Sequence, residues 1–315
     1  MRAIDGGDVK FGAAYVDPDT GFRDEPTEPS PFIPGYDAQF QTLQASNQGS
    51  RIHTPFSRRA VDIEPGTFDG SWGWQFTLTG TEWLDAVLGE PEGGVWEGEP
   101  RPMYFYVEYP TRTSTNKVVI EGCVADSASV SPRVGDPQTD VTVEGFYCDR
   151  YEYTGEDAGW PLGDQPEPTE ADILRYQDAT LNVDTTERYI VQDARLDVRW
   201  PNLQPIEGFN SRSAIGYEVN DHEPSLSYTA AEVAEPEEDL LYGGADSMAA
   251  TSSDDFQYPM ELKFARDGRS LTFNGEGGFP TSYSEDSLGE TSSRVDESLD
   301  FDLTTVTVEA TEATS

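Results

Sequence analysis

Residues 211–230, SRSAIGYEVNDHEPSLSYTA, restate in altered form what residues 57–80, SRRAVDIEPGTFDGSWGWQFTLTG, have already said. At an offset of 154, residues 52–64 and 206–218 match identically at Ile52/Ile206, Ser57/Ser211, Arg58/Arg212, Ala60/Ala214 and Glu64/Glu218, with Val61/Ile215 conservative. Five identities in thirteen, where chance gives about one, mark an internal duplication. The likeness continues downstream: PMYFYV (102–107) faces PMELKF (259–264), and Ile120 and Gly122 of VVIEG fall over Phe273 and Gly275 of LTFNG.

Each copy reads as strands. ARLDVRW (194–200) sets Ala194, Leu196, Val198 and Trp200 on one face and Arg195, Asp197 and Arg199 on the other, the alternation of a half-buried strand. NKVVIEGC, TDVTVEGFYC, RSLTFNG and LTTVTVEA alternate likewise. Helix signals are few. TGTEWLDAVLGE offers Thr81 as a cap, Trp83, Leu84, Val87 and Leu88 as an apolar face and Gly89 as a stop, and EPEEDLLYGG (235–244) is its weaker counterpart. The expected architecture is therefore mainly β: two tandem homologous β-sandwich or small-barrel domains, each with one short helix. The boundaries are 1–153, with a Pro-rich acidic arm at 17–36, an exposed Pro/Gly linker at 154–172, and 173–315. At 315 residues, each half is long enough to bury a core.

The surface charge is extreme, with 60 Asp and Glu against 20 Lys and Arg, and only three of those cations are lysines, Lys10, Lys117 and Lys263. Spread along the whole chain, such an excess repels itself in dilute buffer, whereas in molar salt the Debye length falls to about 3 Å. That points to a protein working in brine, from a salt-loving archaeon or something that infects one. The small pairs Arg58–Arg59 and Arg266/Arg269 make no basic patch of the kind that sequence-specific nucleic-acid binding needs. No stretch approaches 18 apolar residues, and MRAIDGGDVKFG has no apolar leader core, so neither membrane insertion nor secretion is expected.

Catalytic and metal-binding patterns are thin. His53 and His222 do not occupy equivalent positions, and DPDTG (17–21) opens like a calcium loop but lacks its third acid, its sixth-position glycine and its closing glutamate. There is no Gly-x-Ser-x-Gly, Walker or dinucleotide-binding motif, and neither an enzymatic activity nor a cofactor or metal is expected. A hairpin closing at Gly135–Asp136 sets Val130 against Val141 and Ala128 against Val143. The same register sets Cys123 against Cys148, as neighbouring thiols or as a cross-strand disulfide. Trp72 and Trp74 fill one face of a sheet or, with Tyr104, form a stacking platform for a sugar.

The order VKFGAAY, a Pro-rich arm, FIPGYD, the 57–90 block, VTVEGFYCD, ATLNVD, and then ARLDVRWPNLQPIEGFNSRSAIGYEVNDHEPSLSYTA resembles the tail tube (major tail) proteins of viruses with long non-contractile tails. The resemblance covers most of both halves but departs at 17–36, which has no second-copy match. It implies a structural virion protein whose rings stack into a tube conducting double-stranded DNA from capsid to host cell. Family rings hold six such domains, so a duplicated chain would close the same ring as a homotrimer of pseudo-sixfold symmetry. Implied partners are further copies of the chain, tape-measure and neck or tail-tip proteins, and DNA in transient, non-specific passage. The implied location is the virion tail, assembled in the host cytoplasm. A haloarchaeal carbohydrate-binding or adhesive tandem β-sandwich, and another virion ring, turret or baseplate protein, are the rival readings.

Overall fold

The computed structural model describes residues 9–17, 20–27, 29–47, 50–52, 62–64, 68–111, 114–155, 160–162, 168–188, 191–207, 214–231, 240, 257–286 and 296–311. It is mainly β, with large antiparallel sheets. The first half runs β1 (Lys10–Tyr15), β2 (Tyr36–Asn47), β3 (Ser50–Ile52), β4 (Asp62–Glu64), β5 (Phe68–Thr77), helix α1 (Leu84–Leu88), β6 (Val95–Trp96), β7 (Met103–Pro110), β8 (Thr115–Pro132), β9 (Thr139–Tyr147) and β10 (Asp149–Glu152). The second runs β11 (Ala179–Val183), β12 (Thr186–Glu187), β13 (Val191–Arg199), β14 (Gln204–Glu207), β15 (Ala214–Glu218), β16 (Glu223–Ala231), β17 (Tyr258–Arg266), β18 (Arg269–Asp286), β19 (Asp296–Asp302) and β20 (Thr305–Thr311).

In the first half the inner sheet is β2-β5-β9 with the C-terminal half of β8, and the outer sheet is β1-β7 with the N-terminal half of β8 and β10. The 18-residue β8 serves both sheets because it turns a corner. Gly122 sits at φ 62° and a bulge lies between Ala125 and Ser127, the two devices that bend a strand. Aromatic side chains fill the space between the layers. Phe105 of the outer sheet lies 4.6 Å from Trp74 and 4.9 Å from Trp72 of the inner one, and Phe11 lies 4.8 Å from Phe40. Trp72, Trp74 and Tyr104 are almost wholly buried, which removes the sugar-stacking platform: Trp72 and Trp74 fill the space between the layers, while Tyr104, on the other face of the outer sheet, packs in a separate cluster with Tyr106 and Trp160 and donates its hydroxyl to the Arg23 carbonyl.

The second half repeats this plan pairing by pairing. The hairpin β3-β4 pairs Ser50 with Glu64 and Ile52 with Asp62; β14-β15 pairs Gln204 with Glu218 and Ile206 with Gly216, each 154 positions on. Ile52, Glu64, Ile206, Ala214 and Glu218 thus lie in matching hairpins, while Ser57, Arg58, Ala60, Ser211 and Arg212 fall outside the described residues. Phe40 against Trp74 becomes Ala194 against Tyr228, again 154 on. In β7-β8 and β17-β18 the offset is 155, with bulges at Met103/Phe105 and at Tyr258/Met260. The bulge at Ala125/Ser127 returns at Pro280/Ser282, and Gly122 returns as Gly277, also left-handed at φ 60°.

These registers correct the expected alignment. Met103 corresponds to Tyr258, not to Met260, and Gly122 corresponds to Gly277, not to Gly275. Both errors are slips of two residues, which keep every side chain on its own face, so alternation alone cannot detect them. The bulges and the positive-φ glycines can.

Helix α1 is shorter than expected. Trp83 stands at its N-cap without a side-chain cap, and Thr81 contributes only its backbone carbonyl to the Leu84 amide, at 2.9 Å. Gly89 does end the helix at φ 72°, where a Cβ would meet the Glu99 carbonyl at 2.6 Å. The second expected helix, 235–244, lies outside the described residues apart from Leu240.

Candidate functional site

The feature most in need of an explanation is a sheet edge. β13, the first strand of the second inner sheet, pairs with the C-terminal half of β8, the last strand of the first: Leu196 with Val130, Asp197 with Ser129, Val198 with Ala128 and Arg199 with Ser127. The Val134 amide to the Gln192 carbonyl (2.6 Å) and the Trp200 amide to the Asp126 carbonyl (2.7 Å) extend the ladder at both ends. Two four-stranded inner sheets thereby become one of eight strands, ordered β2-β5-β9-β8-β13-β16-β19-β18. The sequence makes this possible by alternation: Val130, Ala128, Leu196 and Val198 face the core, while the serines, Asp197, Arg195 and Arg199 face away.

Beside the seam lies a small core built by both halves. Val124 is wholly buried against Trp200 and Leu203, with Phe22, Phe146, Tyr217 and Val219 around them. Trp200 Nε1 donates to the Val87 carbonyl of α1 at 3.1 Å, and Tyr217 Oη donates to the Pro100 carbonyl at 3.2 Å. The 17–36 arm takes part: Phe22 packs edge-on to Tyr217 at 5.6 Å, and Arg23 bonds the Ala214 carbonyl at 3.1 Å while pairing with Glu121. His222 lies half-buried over Trp200 at 5.0 Å, and burial lowers its pKa, so the neutral imidazole is favoured. A second strand contact links the halves, β6 pairing Trp96 with Val308 of β20.

The junction is head-to-tail: the β8 edge of one copy meets the β13 edge of the next, and β13 is the counterpart of β2. Among the described residues, the eight-stranded sheet therefore has unlike strands at its two ends, β2 and β18. Among the described residues β2 pairs only with β5, and the C-terminal half of β18 pairs only with β19. Unpaired inner edges of this length are normally blunted by charge, proline or a covering element.

Among the described residues no group of three or more His, Cys, Asp or Glu side chains could hold a metal ion, and His53 lies outside them. In the 17–27 loop, Asp17 accepts hydrogen bonds from the Thr27 amide and hydroxyl, and Asp24 accepts one from the Gly21 amide. Their carboxylates thus hold the loop's own shape. A cleft of about 620 Å³ between the halves is lined by Phe32, Thr81, Leu271 and Arg269, and Arg269 is paired with Asp172 at 3.2 Å.

Cys123 and Cys148 are buried free thiols. The expected register holds at Val130/Val141 and Ala128/Val143, but the bulge at Ala125/Ser127 shifts it by one before Cys123 is reached. Cys148 instead donates its amide to the Glu121 carbonyl at 3.0 Å and sits beside Gly122, where a Cβ would lie 3.0 Å from its Sγ. Burial pushes both thiols up, Cys148 to about 12.

No family profile matches the chain, and comparison with curated proteins finds no match. What can be said of class rests on the fold: a tandem pair of β-sandwich domains joined through their inner sheets.

Proposed function

We propose that this chain is the tail tube protein of a long, non-contractile-tailed virus, its inner sheets closing into a ring through which double-stranded DNA passes. The observation that carries the reading is the head-to-tail seam between β8 and β13. A heterologous contact either closes into a ring or runs on as an open filament, depending on the rotation and shift it imposes. The shift can be read from the register. Crossing one copy from Phe40 through Trp74, Val143 and Ala128 leads to Val198, whereas the counterpart of Phe40 is Ala194, four residues back along β13.

Each copy thus contributes four inner strands and a stagger of four residues. Six copies, supplied by three chains, amount to about 24 strands with a shear of about 24. With ordinary strand spacings, that gives a tilt of about 35° and a barrel radius of about 22 Å, inside the range found for closed barrels. Less side chains on the inner face, the bore remains wide enough for a DNA duplex.

The face turned away from the core suits such a bore. It carries Ser127, Ser129, Ser225, Ser227, Thr142 and Thr229, together with Asp140, Glu144, Asp300 and Asp302. Arg195 on this face is engaged by Asp197 through contacts of 2.8–3.1 Å. Arg199 is the other cation placed on this face, and among so many hydroxyls and carboxylates phosphates find little to hold, so a genome slides without sticking.

Electron microscopy of the purified protein in about 2–3 M salt, where charge repulsion is screened, tests the reading. Tubes or stacked annuli with threefold or pseudo-sixfold end views are expected. Monomers that stay dispersed on concentration overturn it.

A further inference from the structure

A space that the first half fills with aromatic rings stands open in the second. Phe11 of β1 and Phe40 of β2 meet with ring centroids 4.8 Å apart, and Phe40 also meets Phe105 at 5.5 Å. Their counterparts follow from the registers: Ala194 pairs with Tyr228 as Phe40 pairs with Trp74, and Leu181 pairs with Leu262 as Phe11 pairs with Val107. An alanine and a leucine thus stand where the first half has two phenyl rings. A cavity of about 230 Å³ lies beside them, with buried Ala194, Leu181 and Leu262 among its walls.

We infer that this cavity is a binding site for a small neutral molecule of one aromatic ring, of the phenol class. The first half names the guest, since Phe40 seats a phenyl ring at the same register position. Apolar walls give a water no partners, whereas a cavity of this size holds one ring. Exposed Gln177 and Thr180 line the cavity as well and can bond a hydroxyl at its mouth. Arg188 and Asp193 add one charge of each sign, and the chain as a whole carries a net charge of -40, so an acidic substituent gains nothing there. The cavity lies between β13 of the inner sheet and β11 and β17 of the outer one, and its reading is independent of any assembly into tubes.

The probe is para-fluorophenol, observed by fluorine NMR with the full chain in about 2–3 M KCl. Saturable binding at one site per chain is expected, with a Kd on the order of 1 mM, as a ligand of so few non-hydrogen atoms allows. Ala194→Phe places the first half's residue in the second. It is expected to fill the cavity, weaken binding by about tenfold or more and raise the melting temperature by about 1–3 °C. Leu181→Phe supplies the other ring, is expected to weaken binding likewise, and decides the matter where Ala194→Phe does not fold. The anionic analogue para-fluorobenzoate is expected to bind more weakly than the phenol by about fivefold or more.

No saturable binding to the parent overturns the inference, and so does unchanged binding to a folded Ala194→Phe or Leu181→Phe chain. Equal binding of the benzoate overturns the preference for a neutral ring. Binding of N-acetyl-phenylalanine amide about tenfold tighter than the phenol overturns the small-molecule assignment and makes the cavity a seat for a partner's aromatic side chain.

Discussion

Replacing Trp200 measures how far the two halves are one folded object. Its indole is buried at the seam, lies tilted at 42° against the His222 ring, packs on Val124 and Leu203, and donates to the Val87 carbonyl at 3.1 Å. Trp200→Ala removes the largest side chain of that small core, a loss of about 3–5 kcal/mol for a buried tryptophan. It also strips the Val87 carbonyl of its donor, which adds about 1 kcal/mol. Trp200→Phe keeps most of the ring and loses the hydrogen bond, so about 1–2 kcal/mol is expected. For a chain of this size, 4 kcal/mol corresponds to roughly 6 °C in melting temperature. Urea unfolding at constant molar KCl, followed by circular dichroism, reads both variants. Because Trp200 ties β13 of the second half to α1 of the first, Trp200→Ala is also expected to split one transition into two. A Trp200→Ala variant within 1 kcal/mol of the parent, or equal to Trp200→Phe, would refute a packed seam and reduce the contact to a tether.

Two further expectations concern the shared backbone device and the thiols. Gly122→Ala and Gly277→Ala each force a side chain onto a left-handed residue, costing about 1–2 kcal/mol by thermal melting. A Cβ at Gly277 would also lie 2.1 Å from Thr304 Oγ1, so Thr304→Ala is expected to relieve part of the second loss and none of the first; equal behaviour of the two sites would contradict this. Cys123 and Cys148 should resist a thiol reagent at pH 8 in the folded protein and react fully in urea. Burial holds both thiols protonated, so folded-state reactivity should appear only as the pH rises toward about 12 at Cys148. Fast labelling at pH 8 would place at least one thiol at the surface.

Much of the pattern is written locally. The strand ARLDVRW, the Val130/Val141 register and the 154-residue offset of the two hairpins follow from alternation and identity, because side chains on a pleat report their face directly. The 17–36 arm is visible as the segment without a repeat partner. What alternation cannot report is a slip of two residues, which explains the misalignment of Met103 with Met260 and of Gly122 with Gly275. Nor can it report a bulge, which is why the register that holds at Ala128 fails at Cys123.

The seam between the halves was the least legible part. Val130, Ala128, Leu196 and Val198 read like any alternating strand residues, and nothing local pairs them across the two halves. The sequence by itself determined two copies, their strand character and the acidic surface, since each is a property of neighbouring residues or of composition. Only the tertiary structure decided that the copies join edge to edge with a four-residue stagger. Pairing between strands more than sixty residues apart is set by how the layers pack, and no local pattern encodes it.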